Sequence, residues 1–190
     1  MRIAIYGGSF NPIHNGHTSL AQTLLQQNLV DEVWLMVSPQ NPLKASQQPG
    51  ICDATYSDRL AMAHIACRDI EGVVVSDFES HLPIPSYTIT TLTELSQQFP
   101  QHQFSLVIGA DNWQRFDRWY KADEILHNYP IFVYRRPGYD IDIPECSLLR
   151  VKIVETPLYD VSSTEIRNGL KTDQIHPDVL EYIKTHHLYF

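Results

Sequence analysis

Long hydrophobic runs are missing from this sequence of 190 residues, although 43% of its residues are hydrophobic. No apolar run approaches the ~20 residues that a helix needs to cross a bilayer, so the sequence predicts no membrane association. The first residues lack an apolar segment followed by a small-residue cleavage site, and we therefore expect no secretory signal. These absences favour a cytoplasmic globular protein.

Cysteine is also scarce: Cys52, Cys67 and Cys146 form an odd-numbered set without a Cys-x-x-Cys pair. Such a set predicts neither a disulfide framework nor the ligand spacing of a structural zinc site. Cys67 falls on the apolar side of a predicted helix, where we expect it to act as a small hydrophobic side chain. The C-terminal histidines lack the supporting carboxylates of a zinc site. The cysteine pattern agrees with a reducing compartment.

Basic residues are few, because 14 lysines and arginines stand against 22 aspartates and glutamates, a formal net charge of −8. This balance argues against a nucleic-acid binder that relies on a broad basic surface. A site for anions therefore needs local positive charge. The candidates to supply it are Lys44, Arg135, Arg136 and Arg167.

Apolar runs alternate with helical patterns along the whole chain, and several of these runs are continuous. Continuous apolar strands are typical of a parallel sheet covered on both faces. The alternation predicts an α/β fold with a doubly wound, mainly parallel sheet and a small C-terminal helical portion, in one domain over residues 1–190. The predicted strands are 3–6, 33–37, 73–76, 104–108, 131–134 and 151–154.

Two internal helices carry recognisable start signals. A helix over 56–68 has Thr55 as its expected N-cap and Asp58 at the third helical position. A helix over 87–98 has Ser86 as its expected cap. The apolar face predicted for the first of these helices consists of Leu60, Ala63, His64 and Cys67.

The most informative stretch joins the first strand to the first helix. We expect Gly7 and Gly8 to take positive φ and to let the backbone approach a ligand. Asn15 is the expected N-cap, which places His17 in the first helical turn and His14 just before it. A strand, a glycine-bearing turn and a helix N-terminus predict an anion site, where both imidazoles donate hydrogen bonds to a phosphate chain. The alternative is a tight turn whose histidines are only exposed or capping.

A second motif near the C-terminus contains Ser162 and Glu165 at the spacing of a capping box, so a helix should begin there. Its free N–H groups, the hydroxyls of Ser163 and Thr164, and the Arg167 guanidinium could converge on one polyphosphate. A helix cap followed by a surface arginine explains the same residues equally well.

Asp111 follows a predicted strand at the carboxyl edge of the sheet, where α/β proteins bind ligands. Its carboxylate could accept hydrogen bonds from a ribose or from an adenine amino group. The alternative is a cap on the following short helix. Trp113, two residues further on, is expected to pack in the core.

His14-Asn15-Gly16-His17 resembles the HxGH signature of the nucleotidyltransferase superfamily, relatives of which occur in class I aminoacyl-tRNA synthetases and cytidylyltransferases. The longer stretch 7–17 resembles one branch, the bacterial nicotinate mononucleotide adenylyltransferases. Further motifs in the same order extend the resemblance over nearly the whole chain. It implies a Rossmann-like nucleotidyltransferase fold, with Gly16 allowing the helix start to lie close to the strand ends. The implied catalytic residues are His14, His17 and Arg167.

The resemblance implies binding roles as well. Trp119 would stack on a pyridine ring, while Tyr120 and Thr88 would recognise the nicotinate carboxylate. The implied ATP-binding residues are Gly7, Gly8, Ser9, Phe10, Gly16, Asp111, Ser163 and Thr164. The implied mononucleotide-binding residues are Asn11, Lys44, Thr88, Trp119, Tyr120 and Arg136, with Arg136 preferred over Arg135 as the arginine that faces the substrates.

The chain departs from the family's motifs at three places. Val161 stands for isoleucine in the motif that ends at Arg167, which is a conservative change. Leu43 replaces the usual histidine of a basic loop, and Lys44 is retained there as the expected phosphate ligand, the alternative being a solvated lysine. Residues 90–91 are threonines where many relatives have aspartate, a change to which we assign no role.

The reaction that the resemblance implies joins ATP to nicotinate mononucleotide and gives deamido-NAD and pyrophosphate. We expect in-line attack without a covalent intermediate, since no activated serine or cysteine is evident. Mg²⁺ would enter with ATP, held mainly by phosphate and water. The alternatives are nicotinamide mononucleotide or another phosphate ester as acceptor, or a non-catalytic pyridine-nucleotide sensor on the same fold. No nucleic acid partner is expected, and a homo-oligomer is compatible with the sequence.

Overall fold

The apolar runs of the sequence form a six-stranded sheet in the computed structural model, which describes residues 1–39, 54–147 and 149–190. The strand order is β3-β2-β1-β4-β5-β6, and every neighbouring pair is parallel. This confirms the predicted doubly wound parallel sheet. The strands are β1 (Arg2–Gly8), β2 (Glu32–Val37), β3 (Val73–Ser76), β4 (Gln103–Gly109), β5 (Ile131–Tyr134) and β6 (Val151–Val154).

Helices connect the strands and cover both faces of the sheet. The α-helices are α1 (Asn15–Gln26), α2 (Tyr56–Cys67), α3 (Thr88–Gln98), α4 (Ala110–Trp113), α5 (Ala122–Asn128), α6 (Ser163–Arg167) and α7 (Pro177–Thr185). Short 3₁₀ helices occur at Phe78–His81, Phe116–Arg118, Glu145–Ser147 and Thr172–Gln174. No helix in the described part of the chain combines the length and the apolar composition that a membrane span requires.

Alternate residues of β1 pack into two separate hydrophobic cores, because successive side chains of a strand point to opposite faces of the sheet. Ala4 and Tyr6 point into the core that contains side chains of α1, α2, α6 and α7. Ile3 and Ile5 point into the core that contains side chains of α3 and α5. Because both faces of β1 are buried, its sequence is continuously apolar rather than alternating.

The buried face of α2 differs from the prediction by one position. His64 is exposed and Leu60 is only partly buried, whereas the Arg59 side chain is 7% exposed. The Arg59 guanidinium donates hydrogen bonds to the carbonyls of Ser9 at 2.6 Å, Ser38 at 2.9 Å and Pro39 at 3.2 Å. These acceptors make the burial of a charged group tolerable. The buried residues of α2 are Arg59, Met62, Ala63, Ala66 and Cys67.

The predicted caps have mixed outcomes. Thr55 caps α2 and forms a capping box with Asp58, as predicted. Ser86 does not cap α3, because the N-cap is Tyr87 and the Ser86 hydroxyl is buried without a partner among the described residues. Cys67 is buried as predicted, and burial raises the pKa of its thiol to about 12.

The C-terminal helices pack back onto the first half of the chain, which confirms the small helical portion. Val179 and Ile183 of α7 are fully buried against the core on the α2 side of the sheet. The Tyr182 hydroxyl donates to Asp58 Oδ1 at 2.9 Å, so α7 is also tied to the first turn of α2. That contact joins the last helix to the segment around the ligand edge.

The strand order reverses between β1 and β4. In open α/β sheets ligands bind at such a switch point, outside the carboxyl ends of the strands. Here those ends are Gly7 and Gly8 of β1 and Gly109 of β4. The fold therefore places the predicted glycine-bearing turn at the expected ligand edge.

Candidate active site

Two cavities open at this edge of the sheet. We call the first the aromatic cavity; it encloses about 230 Å³, and its walls include Glu79, Tyr87, Thr88, Arg118, Trp119 and Tyr120. We call the second the histidine cavity; it encloses about 240 Å³, and its walls include His14, His17, Arg135, Arg136, Tyr159 and Ser162.

Tyr6 and Tyr134 line both cavities and form the wall between them. Their hydroxyl oxygens lie 3.4 Å apart, and their rings meet edge to face with centroids 6.0 Å apart. Burial raises the pKa of Tyr6 well above 10, so its phenol is neutral. Ligands in the two cavities would thus be separated by one pair of hydroxyl-bearing side chains.

His14, not Asn15, is the N-cap of α1, with extended backbone at φ −145° and ψ 170°. The predicted cap was wrong by one residue because Asn15 already has helical geometry. His17 does lie in the first turn, as predicted, and its Nδ1 accepts a hydrogen bond from the backbone N–H of His14 at 3.2 Å. Since Nδ1 is an acceptor, the neutral His17 ring carries its proton on Nε2.

The two imidazoles stack with ring centroids 3.7 Å apart and an interplanar angle of 25°. Burial, together with the positive charge of Arg136, lowers the pKa of His14 to about 4. Burial, with His14 and Arg136 nearby, also lowers the pKa of His17 well below 6.5. At neutral pH both rings are therefore neutral, and each can still donate one N–H to an anion.

The glycines of the turn act through their small size. Gly7 and Gly8 belong to β1 and do not take positive φ, so that expectation was wrong; the residue at positive φ is Phe10, at 44°. A Cβ at Gly8 would lie 3.0 Å from the Phe10 ring, whereas one at Gly7 would have no atom within 4 Å. Gly8 therefore makes room for Phe10, and Gly7 leaves the wall of the aromatic cavity bare.

Gly16 makes room for the side chain of His14, one of the predicted catalytic residues. A Cβ there would lie 3.1 Å from Nδ1 of His14 and 3.2 Å from Cβ of Tyr159. We expected Gly16 to let the start of the helix lie close to the strand ends, but the atoms nearest to a Cβ at this position belong to His14 and Tyr159. Nδ1 of His14 is buried and has no hydrogen-bond partner within residues 1–39, 54–147 and 149–190.

Helix α6 docks against the turn that follows β1. Ser162 caps α6 in a capping box with Glu165, as predicted. The Ser163 hydroxyl donates to the carbonyl of Pro12 at 2.9 Å. Arg167 donates to the carbonyl of Asn11 at 2.7 Å and to Thr164 Oγ1 at 3.1 Å. These bonds hold the two sequence motifs together, so the arginine is not a free surface residue.

Asp111 and Arg136 form an ion pair, with Oδ1 and Nε 3.4 Å apart. The N-cap of α4 is Gly109, so the alternative interpretation of Asp111 as a helix cap was wrong. Arg136 also donates to the Tyr134 hydroxyl at 3.3 Å. It borders the histidine cavity and not the aromatic one, while Arg135 lines the same cavity and pairs with Glu155 at 3.6 Å. Arg136 thus brings positive charge to the histidine pair, whereas the charge of Arg135 is paired with a carboxylate.

Thr88 meets Trp119 and Tyr120 in the aromatic cavity although it is distant from them in sequence. Trp119 packs against Phe116 with centroids 5.5 Å apart. Tyr120 lies 4.7 Å from the ring of Tyr87, which the sequence did not single out. The cavity therefore offers flat apolar surfaces to a ring-shaped ligand.

Trp113 lies outside this cavity, as expected of a packing residue. Its ring stacks on Phe116 with centroids 5.3 Å apart, and its indole N–H donates to the Asp142 carbonyl at 2.8 Å.

Two charged residues of the aromatic cavity were missed from the sequence. Glu79 is 8% exposed and accepts a hydrogen bond from the Thr91 hydroxyl at 2.9 Å, and burial raises its pKa. Arg118 precedes Trp119 and is exposed at the cavity wall. In the sequence both resemble ordinary surface charges, and only the fold brings them together.

Asn11 is held from two directions. Its carbonyl accepts from Arg167, and its side-chain oxygen accepts from the hydroxyl of Tyr189. Ser9 contributes its carbonyl to Arg59 rather than a side chain to the cavities. Lys44 and its loop lie outside the described residues, so its predicted role stays a prediction.

The described residues contain no group of three or more histidine, cysteine, aspartate or glutamate side chains placed to hold a metal ion. The hydrogen-bond donors that line the histidine cavity are imidazoles, arginines and hydroxyls, and the lining carboxylates of Asp160 and Glu165 are paired with Lys171. Such a donor set suits phosphate oxygens.

The parallel sheet and the histidine pair at the β1–α1 turn define a protein of the nucleotidyltransferase class. The model of the Cytidylyltransferase-like family matches residues 5–169. The chain therefore belongs to this family, which confirms the resemblance seen in the sequence.

Similar proteins give a finer placement. A Bacteroides thetaiotaomicron protein named "Probable nicotinate-nucleotide adenylyltransferase" is 42% identical over 97% of this chain and 91% of its own length. A Bacteroides fragilis protein of the same name is 41% identical over 96% of this chain and 90% of its own length. Within the family, the chain groups with the nicotinate-nucleotide adenylyltransferases.

A solved structure shares the fold over nearly the full length of both chains. It is that of Plasmodium falciparum nicotinic acid mononucleotide adenylyltransferase complexed with NaAD. The TM-score is 0.80 at 22% identity, covering 99% of this chain and 97% of the other. This likeness concerns the fold.

Proposed function

We propose that the protein transfers the adenylyl group of ATP to nicotinate mononucleotide and releases deamido-NAD and pyrophosphate. The observation that carries the proposal is the pair of cavities that share the Tyr6 and Tyr134 wall. One cavity is lined by aromatic rings that suit a pyridine. The other combines two imidazoles and two arginines that suit a polyphosphate. The names of the similar proteins support the choice of acceptor.

In this reaction a phosphate oxygen of the mononucleotide attacks the α-phosphorus of ATP. A new P–O bond forms as the bond from the α-phosphorus to the pyrophosphate oxygen breaks. Both substrates are anions, so catalysis consists of positioning them and neutralising charge in the transition state. We assign the two N–H donors of His14 and His17 to the phosphate oxygens, with charge supplied by Arg135 and Arg136.

Arg167 acts in the proposal through both its bonds and its charge. Its guanidinium anchors the turn at Asn11 and donates to Thr164, which leaves three of its five N–H donors outside these two hydrogen bonds. We assign these donors to the ATP phosphates, together with the hydroxyls of Ser163 and Thr164. Asp111 holds Arg136 in place and is also assigned to the adenosine.

Mg²⁺ enters the proposal as part of the nucleotide substrate. The histidine cavity fits a metal that is carried by phosphate and water, because the two carboxylates among its described lining residues, Asp160 and Glu165, are both paired with Lys171. When bound, the ion would neutralise charge on the triphosphate. Cytoplasmic location and a single domain over 1–190 stay predictions of the sequence, which is also compatible with a homo-oligomer.

The test is pyrophosphate release from Mg·ATP with nicotinate mononucleotide and nicotinamide mononucleotide compared side by side. Fast turnover with the acid and slow turnover with the amide supports the proposal. Equal rates would keep the reaction class and contradict recognition of the carboxylate. No release with either acceptor, from folded protein that still binds ATP, would favour another phosphate ester as acceptor or a non-catalytic sensor.

A further inference from the structure

The aromatic cavity contains one cationic and one anionic side chain among the described residues that line it. Glu79 is buried, 8% exposed, and its carboxyl is held by the hydroxyl of Thr91. Arg118 is exposed and therefore lies at the rim of the cavity. The cavity thus has its negative group in the interior and its positive group at the mouth.

Arg118 has no carboxylate partner among the residues that the structure describes. None of the ion pairs within the described ranges involves it, whereas the nearby Lys121 pairs with Glu124 at 2.9 Å. It ends the 3₁₀ helix Phe116–Arg118, whose backbone bond from Arg118 N–H to the Arg115 carbonyl fixes its position directly before Trp119. An uncompensated guanidinium therefore sits next to the predicted ring-stacking tryptophan.

The proposed acceptor carries a negative group that the guanidinium of Arg118 could bind. The ring of nicotinate mononucleotide is a pyridinium that bears a carboxylate, whereas the nicotinamide analogue carries a neutral amide at the same position. Thr88 and Tyr120 can form hydrogen bonds with either group. Only a positively charged side chain discriminates strongly between the carboxylate and the amide. A guanidinium binds a carboxylate bidentately, whereas an amide offers it one neutral oxygen.

We propose that Arg118 is the specificity-determining residue that selects the carboxylate-bearing ring over the amide. The buried carboxyl of Glu79 disfavours a second carboxyl group in the interior, so the acid group of the substrate faces the rim. There the Arg118 guanidinium binds it. This inference rests on the proposed function, since it concerns the acceptor of that reaction.

The experiment measures kcat/KM for nicotinate mononucleotide and for nicotinamide mononucleotide with Mg·ATP in the wild type and three variants. Arg118→Gln removes the charge, and Arg118→Lys keeps it without the planar fork. Arg115→Gln removes an exposed arginine of the same segment that does not line the cavity. We expect Arg118→Gln to lower kcat/KM for the acid by about tenfold or more through KM, with the amide changed by less than about twofold.

The Lys variant should retain part of the preference for the acid, and Arg115→Gln should retain all of it. If Arg118→Gln keeps the wild-type ratio of acid to amide, the inference is wrong while the proposed function stands. If wild-type protein turns over neither acceptor, the proposed function itself has failed. Equal losses with both acceptors would assign Arg118 to general packing and overturn its role in selection.

Discussion

His14 and His17 stack with ring centroids 3.7 Å apart while the backbone N–H of His14 donates to Nδ1 of His17. This bond sets the tautomer of His17 and leaves Nε2–H as its donor. Because both rings are buried and neutral, protonating either costs free energy unless an anion lies against it. The pair is thus ready to bind phosphate oxygens, and its titration should respond to them.

Replacing His17 tests its role in catalysis directly. His17→Ala removes the Nε2–H donor, and we expect kcat to fall by about 100-fold or more. His17→Asn keeps a side-chain oxygen for the His14 N–H and should lose a similar factor with less effect on folding. Steady-state pyrophosphate release and circular dichroism check both variants. The exposed His64→Ala is the matched control, and a His17 variant with near-normal kcat would remove this residue from the mechanism.

The depressed pKa of His14 predicts a loss of stability in acid. An unfolded histidine titrates near 6.5, whereas folded His14 titrates at about 4. Below pH 6.5 the unfolded state binds a proton that the folded state does not, so the free energy of unfolding decreases as pH falls toward 4. The contribution of His14 is about 3 kcal/mol at most.

Urea unfolding of wild type and His14→Asn at pH 7, 5.5 and 4.5 measures this contribution. The variant should lose less stability than the wild type over this range, whereas His64→Asn should behave like the wild type. Parallel pH curves for wild type and His14→Asn would show that His14 titrates normally in the folded protein.

Replacing Arg59 should strongly affect the free energy of unfolding, although the hydropathy of arginine suggests a solvent-exposed position. Arg59→Ala leaves the carbonyls of Ser9, Ser38 and Pro39 without their shared donor, and we expect a loss of about 3 kcal/mol in the free energy of unfolding. Arg59→Lys should lose less, because an ammonium group can keep part of these bonds. Chemical denaturation gives the values, with the exposed Arg150→Ala expected to stay within about 0.5 kcal/mol of wild type. If Arg59→Ala lowers the free energy of unfolding only slightly, water takes the place of the guanidinium at these carbonyls.

Gly16→Ala separates helix stability from the geometry of the site. Alanine is the better helix former, yet its Cβ would lie 3.1 Å from Nδ1 of His14 and would displace that ring. We expect kcat to fall by about tenfold with the melting temperature changed by only a few degrees. Gln22→Ala, at an exposed position of the same helix, should leave kcat unchanged. Unaltered turnover in Gly16→Ala would show that the His14 ring position is not critical.

The strands could be predicted well because their signal is local. Runs such as 73–76, 131–134 and 151–154 are mainly apolar and rich in valine and isoleucine, and the structure gives strands with these bounds. The capping boxes begun by Thr55 and Ser162 were also predicted, since each depends on two side chains three residues apart. Local patterns of this kind need no knowledge of tertiary contacts.

The remaining features depend on what other parts of the chain supply. Arg59 is buried because three carbonyls from distant strand ends meet at its guanidinium, which no helical pattern can reveal. Glu79 and Arg118 line one cavity only because the fold brings the 3₁₀ helices Phe78–His81 and Phe116–Arg118 to the same edge of the sheet. The histidine pair was found from its spacing, but its stacking and neutral state required the structure.

Because Tyr6 and Tyr134 line both cavities, the proposed ATP and acceptor sites share one wall. A ligand that displaces either ring from one side changes the shape offered on the other side. By thermodynamic linkage, any gain in affinity that ATP gives the acceptor is returned to ATP by the acceptor in equal measure. Coupling between the two ligands would then be a built-in property of this edge of the sheet, transmitted by the Tyr6 and Tyr134 rings.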